Sequence, residues 1–142
     1  MGECFGTPLM HPFLRGRRLV PGNNTKFTFS QIRYMICLYR LSHGGCGVKN
    51  VELVGALGFS KPSVHNMLRS LSDLGVVTQE SFGLAHLTVR GRVLAEIYAH
   101  CYVKLEASMT ELCGRGAASE NAICGLLADM PWEKIDELGK SE

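Results

Sequence analysis

The chain lacks the features that would place it in several whole classes of protein. No uninterrupted apolar run among its 142 residues approaches the roughly 18 residues that a membrane span requires, so no membrane partner is expected. Arg15, Arg17 and Arg18 follow the first apolar residues instead of preceding them, the reverse of a secretory leader, and a cytoplasmic protein is expected. A myristoylation signal opening at Met1-Gly2 would carry Ser or Thr where Gly6 stands. The cysteines, Cys4, Cys37, Cys46, Cys101, Cys113 and Cys124, form no Cys-x-x-Cys pair, which excludes a zinc ribbon and a thioredoxin-like motif. Without export they are expected as reduced thiols. There is no paired acid, no nucleophile spaced from a base, no glycine-rich phosphate loop and no complete metal-ligand set, so an enzyme is not expected. No internal repeat is present.

What the chain does contain is enough apolar residue, 46%, to build a packed core in one domain or in a small reading head with an appended helical part. Its charge is unevenly distributed. From Lys26 to Arg92 there are eight bases, Lys26, Arg33, Arg40, Lys49, Lys61, Arg69, Arg90 and Arg92, against the three acids Glu52, Asp73 and Glu80. From Val93 to Glu142 four bases face nine acids. A basic middle beside an acidic end suits a protein that turns one part toward a polyanion and keeps the other for a different task.

Residues 1–25 are rich in Gly, Pro and Asn without periodicity and read as a flexible arm. Its Arg15-Gly16-Arg17-Arg18 run is a candidate to follow phosphates or a minor groove. A first helix is predicted from Thr28 to Leu41, capped by Ser30 and closed by His43-Gly44-Gly45. A short second helix follows over about Asn50 to Leu57, with Val51, Val54 and Leu57 on its apolar face and Leu53 beside them, and Gly58-Phe59 breaks it. Ser60 caps a third helix that accepts Pro62 in its first turn and carries the stripe Val64, Met67, Leu68, Leu71 and Leu74. Val76-Val77-Thr78 and His86-Leu87 read as a small hairpin turning at Ser81-Phe82-Gly83-Leu84. Thr88 caps a long helix to about Leu112, with Leu105 and Met109 on its apolar side, and helices near Ser119 to Met130 and Pro131 to Leu138 complete the chain.

Helix, short helix, tight turn, longer helix and hairpin is the order of a winged helix-turn-helix, in which the third helix enters the major groove and the hairpin lies against the backbone. With its stripe buried, the third helix turns Lys61, Ser63, His65, Asn66, Arg69 and Ser70 outward. Short hydroxyls and amides match base edges, and bases reach phosphates. Asn66 has the bidentate geometry for adenine, while Lys49, Lys61 and Arg69 suit phosphates. Double-stranded DNA is the expected partner.

The runs Tyr34-x-x-x-x-Tyr39-x-Leu41, Val51-Glu52-Leu53-Val54-Gly55-Ala56-Leu57-Gly58-Phe59-Ser60-Lys61-Pro62-Ser63-Val64, Leu68-x-x-Leu71-x-x-Leu74-Gly75-Val76-Val77 and Leu87-Thr88-Val89-Arg90-Gly91-Arg92 resemble the iron- and manganese-dependent repressors of the diphtheria toxin repressor family. The likeness spans about residues 27 to 138. With the arm at 1–25, the expected fold is mainly α with a small β-hairpin wing, a winged helix-turn-helix at 26–88 followed by a helical region at 89–142, and the resemblance implies dimerisation through the first helix and the helices after the wing. It also implies a homodimer on a two-fold symmetric operator, with repression as the effect and DNA contacts at Ser60, Pro62, Ser63 and Asn66.

In that family a divalent metal between the two parts adjusts the reading heads. Here the ligand position before Tyr34 is Arg33, and the acid two residues after it is Ile36. Of the later ligand motif only Cys124 remains; His100 is kept, but the acid one turn later is Lys104. An octahedral manganese or ferrous site needs more donors than one imidazole and one thiolate. The metal response is therefore expected to be lost or altered, with zinc, manganese or iron at a degenerate His100/Cys124 site as the residual possibility, Cys101 or Cys113 completing a soft one. The competing function is a winged-helix module that binds protein and not DNA.

Overall fold

Thr28, and not Ser30, starts the first helix of the structure, a computed structural model describing residues 26–43, 45–80 and 83–141. The arm predicted at 1–25 lies outside the described residues. In α1, Phe29–Leu41, the Thr28 hydroxyl accepts the Gln31 N–H at 3.2 Å while Gln31 Oε1 accepts the Thr28 N–H at 2.9 Å. This reciprocal box needs an acceptor three residues after the cap. Ser30 would find Arg33 there, which has none, so it falls inside the first turn. The helix buries Ile32, Met35, Ile36 and Leu38.

A two-residue strand, β1 (Val48–Lys49), precedes α2 (Asn50–Leu57). Two residues carry no readable periodicity, which is why the sequence does not reveal the strand. The apolar face of α2 also differs from expectation. Leu53 and Leu57 are buried one turn apart, whereas Val51 is 57% exposed. Gly58 then ends the helix in the left-handed region, φ 74°, which a glycine adopts without steric penalty.

Helix α3 (Lys61–Asp73) is capped by Ser60 and buries Val64, Leu68 and Leu71. Met67 and Leu74 pack partly buried at the margin. Strands β2 (Val77–Gln79) and β3 (Leu84–Leu87) form the wing, and the antiparallel sheet has the order β1-β3-β2. Thr78 pairs with His86 and Val48 with Ala85. Val76, predicted as the first strand residue, is instead buried ahead of the strand, its carbonyl accepting the Thr88 N–H at 3.1 Å.

The long helix α4 (Val89–Cys113) begins at its Thr88 cap. It is followed by α5 (Glu120–Asp129) and α6 (Trp132–Lys140). The start of α4 fastens the end of α3: Thr88 Oγ1 donates to the Gly75 carbonyl at 2.7 Å and Arg90 Nη1 to the Leu74 carbonyl at 3.1 Å. Gly91 permits this approach, since a Cβ there would stand 1.9 Å from the Val76 oxygen. Helix α1 packs on both α4 and α5, and α6 on α4. Tyr98 of α4 meets Phe27 and Trp132 edge-on at 6.2 and 6.1 Å, tying the N-terminal and C-terminal ends of the core together.

Burial along α4 is uneven. Its first half is almost wholly covered, but Val103 is 57% and Leu112 79% exposed, and Leu105 and Met109 are only partly covered. No helix among the described residues is long and apolar enough to cross a membrane.

Candidate nucleic-acid interface

The outward flank of α3 is open to solvent. Lys61, Pro62, Ser63, His65, Asn66 and Arg69 are all exposed, as are Ser60 at the cap and Lys49 before α2. The helix holds this flank out because Val64, Leu68 and Leu71 lie on the opposite side, fully withdrawn from water. Burying such side chains contributes about 1.5–3 kcal/mol each. One expected member is missing from the flank: Ser70 turns toward α1, where its hydroxyl accepts Gln31 Nε2 at 3.4 Å.

The first turn of α3 carries a serine cap and no acid. Ser60 Oγ accepts the Ser63 N–H at 3.3 Å and donates to Ser63 Oγ at 2.9 Å. Its hydroxyl is thus committed to the cap, and Ser63 keeps its own O–H to offer a phosphate. No acid stands in this turn, so the positive end of the helix and Lys61 are not neutralised from within the helix. Beside the turn, Asn50, Val51, Lys61, Pro62 and His65 line an open cleft of about 410 Å³. The sequence reading missed Asn50 and Val51 here. Their signal was the rotation of α2, which only packing fixes.

Lys49 stands at the rim of this surface, its backbone N–H donating to Glu52 Oε2 at 2.8 Å. That bond leaves the ammonium group uninvolved. At the wing, Glu80 Oε1 and His86 Nε2 approach to 3.1 Å as an ion pair when the imidazole is protonated. Among the described residues the candidate DNA contacts come from α3, its cap and the strand before α2, while the Arg15-Gly16-Arg17-Arg18 run lies outside them.

The candidate metal residues are differently placed. His100 is exposed on α4 and Cys124 is buried on α5. Burial, and then the Glu120 carboxylate, push the Cys124 thiol up to about 11, and burial does the same to Cys101, also to about 11. A metal would have to displace those protons. Cys101 donates its S–H to the Ile135 carbonyl at 3.3 Å, and Cys113 is exposed. Lys104 points its ammonium at the end of α6, donating to the Leu138 carbonyl at 2.6 Å, to the Ser141 carbonyl and to Ser141 Oγ. Among the described residues no three His, Cys, Asp or Glu side chains come together as a metal cage. His100 and Cys124 alone are too few donors for an octahedral divalent ion.

The thiols Cys37, Cys101, Cys113 and Cys124 are free. Cys46 departs from the expectation of reduced cysteines, being disulfide-bonded. Glu96 is a further group that the sequence reading passed over. It is only 8% exposed on α4, and burial raises its carboxyl above the ordinary value against the opposing influence of His100 and Arg92.

Residues 38–81, from the last turn of α1 to just beyond β2, match the IclR helix-turn-helix domain. Comparison with curated proteins gives no match. The architecture and the domain match support a DNA-binding, winged-helix transcription regulator, and they do not single out the metal-dependent repressors of the diphtheria toxin repressor family.

Proposed function

We propose that the chain is a repressor that binds a two-fold symmetric operator as a homodimer, with α3 of each copy in a major groove. The observation that carries this reading is the exposed, acid-free flank Lys61-Pro62-Ser63-His65-Asn66-Arg69 on a helix anchored from behind. In this reading Asn66 reads a base edge, discriminating by about 1–3 kcal/mol. Lys49, Lys61 and Arg69 meet phosphates, Ser63 donates to one, and His65 and Pro62 border the groove. Ser60 acts through the cap, holding the first turn in place.

The winged helix-turn-helix at 26–88 is the reading unit and 89–142 the dimerisation region. Support for the second assignment comes from the apolar side chains that one copy leaves in water, Val103 and Leu112 on α4 and Leu126 on α5. Burying them against a second copy is favourable by about 25 cal/mol per Å². The metal response is read as lost or altered, His100 and Cys124 being too few donors for an octahedral site. Mn²⁺ and Fe²⁺ are expected to change operator affinity little.

Enrichment of duplexes from a random pool by the full chain tests the reading. The expected product is an inverted repeat whose half-sites lie about 34–36 Å apart, or a multiple of that spacing. A pool that stays unenriched at moderate salt, or enriched single sites bound by a monomer, would contradict it.

A further inference from the structure

Arg33 of α1 lies where three parts of the molecule meet. Its Nε stands 3.3 Å from Glu120 Oε2, on the first residue of α5. Its guanidinium carbon lies 5.3 Å from the centroid of the Phe59 ring. Phe59 directly precedes Ser60, the cap of α3, and the next residue of α1, Tyr34, stacks on the same ring at 5.9 Å with the planes 4° apart. The Arg33 side chain is only 18% exposed, and Nε is withdrawn from water without an acceptor in hydrogen-bond geometry. The Glu120 carboxylate is therefore the charge that makes its burial tolerable.

We infer that Arg33 is a positioning residue that couples the C-terminal helices to the reading helix, gripping α5 through Glu120 and the turn before α3 through Phe59. The inference rests on the reading of α3 as the groove helix. The turn contains Gly58 in the left-handed region, and Phe59 is its one large apolar anchor, still 39% exposed. A ring held by a cation and a stacked tyrosine fixes the direction in which Ser60 launches α3. Without the guanidinium, Val64, Leu68 and Leu71 still hold the helix to the core, but its entry angle is free to vary. A base-reading contact tolerates such variation poorly, whereas phosphate attraction hardly feels it.

The test compares wild type, Arg33→Gln, Arg33→Lys and Glu120→Gln, each as the full chain with its folding checked by circular dichroism. The probes are the duplex enriched by wild type and a random duplex of the same length. Arg33→Gln and Glu120→Gln should each lower the ratio of specific to random affinity by roughly 3- to 30-fold with an unchanged salt slope on random DNA. Arg33→Lys, which keeps the charge opposite Glu120 but not the planar guanidinium, should restore part of the ratio. Deuterium uptake over 59–63, measured without DNA, should rise in Arg33→Gln. If Arg33→Gln does not fold, Glu120→Gln carries the comparison. An unchanged ratio in a folded variant overturns the inference, and so does a salt slope reduced by about one, which would make Arg33 a phosphate contact. Should wild type enrich no duplex, the groove reading fails by itself, and uptake over 59–63 that stays the same in Arg33→Gln would sink the positioning role independently.

Discussion

The wing and the outward flank of α3 lie next to each other in the fold but differ in chemistry. Between Val76 and Val89 there is no Lys or Arg and one acid, Glu80, and that acid is turned onto His86 of the neighbouring strand at 3.1 Å. The α3 flank has Lys61 and Arg69, the amide of Asn66 and no acid before Asp73. The wing is also mechanically committed: Val76 accepts Thr88, and Gly91 packs against the Val76 carbonyl. The difference teaches that one hairpin and one helix are made for different work, the hairpin bracing the base of α4 and the helix carrying the flank proposed to face DNA. Of the two, only the helix has Lys or Arg to offer phosphates, because the hairpin has neither.

Substitutions can break this comparison. The largest effect is expected behind the flank, where Leu68 is fully buried. Leu68→Ala should destabilise by about 2–5 kcal/mol, as large-to-small core changes do, and denaturant unfolding reads it directly. Asn66→Ala sits on the other side of the same helix and should leave unfolding unchanged. It should instead weaken the enriched duplex by about 1–3 kcal/mol while sparing random DNA. Equal losses on both duplexes would assign Asn66 to the phosphates and blur the division drawn above.

A smaller effect sharpens the contrast from the side of α4. Burial raises the Glu96 carboxyl above its ordinary value, with His100 and Arg92 pulling the other way. The folded state therefore binds this proton more tightly than the unfolded chain does. Its contribution to stability is fully present below the ordinary carboxylate value and is lost as pH rises through the raised one. Glu96→Gln should flatten that decline, which melting temperatures from about pH 4 to about 8 would follow. Unaltered pH dependence would show that Glu96 is solvated in solution.

The α3 flank was legible in the sequence because three independent signals coincide there. Ser60 caps, Pro62 fits the first turn, and Val64, Leu68 and Leu71 repeat at helical spacing, and the structure keeps all three. Elsewhere one signal stood alone and misled. Ser30 looked like a cap, but the box at Thr28 and Gln31 needs a pair of residues. Val51 matched the helical spacing of Val54, yet a two-turn helix can rotate either leucine or valine inward, and burial of Leu53 decided it. The strand Val48–Lys49 exists only through its pairing with Ala85 and Leu84, which no local pattern encodes. Arg33 and Lys104 were visible as departures from a metal-binding pattern. Where their charges go, onto Glu120 with Phe59 and onto the end of α6, follows only from tertiary packing.

The division between helix and hairpin is tested most directly by the salt dependence of binding to random duplex DNA. Wild type should show a steep slope, Lys61→Ala and Arg69→Ala should each reduce it by about one, and Glu80→Gln in the wing should leave it in place. A flat wild-type slope, or slopes that Lys61→Ala and Arg69→Ala do not move, would contradict the claim that this flank of α3 faces DNA.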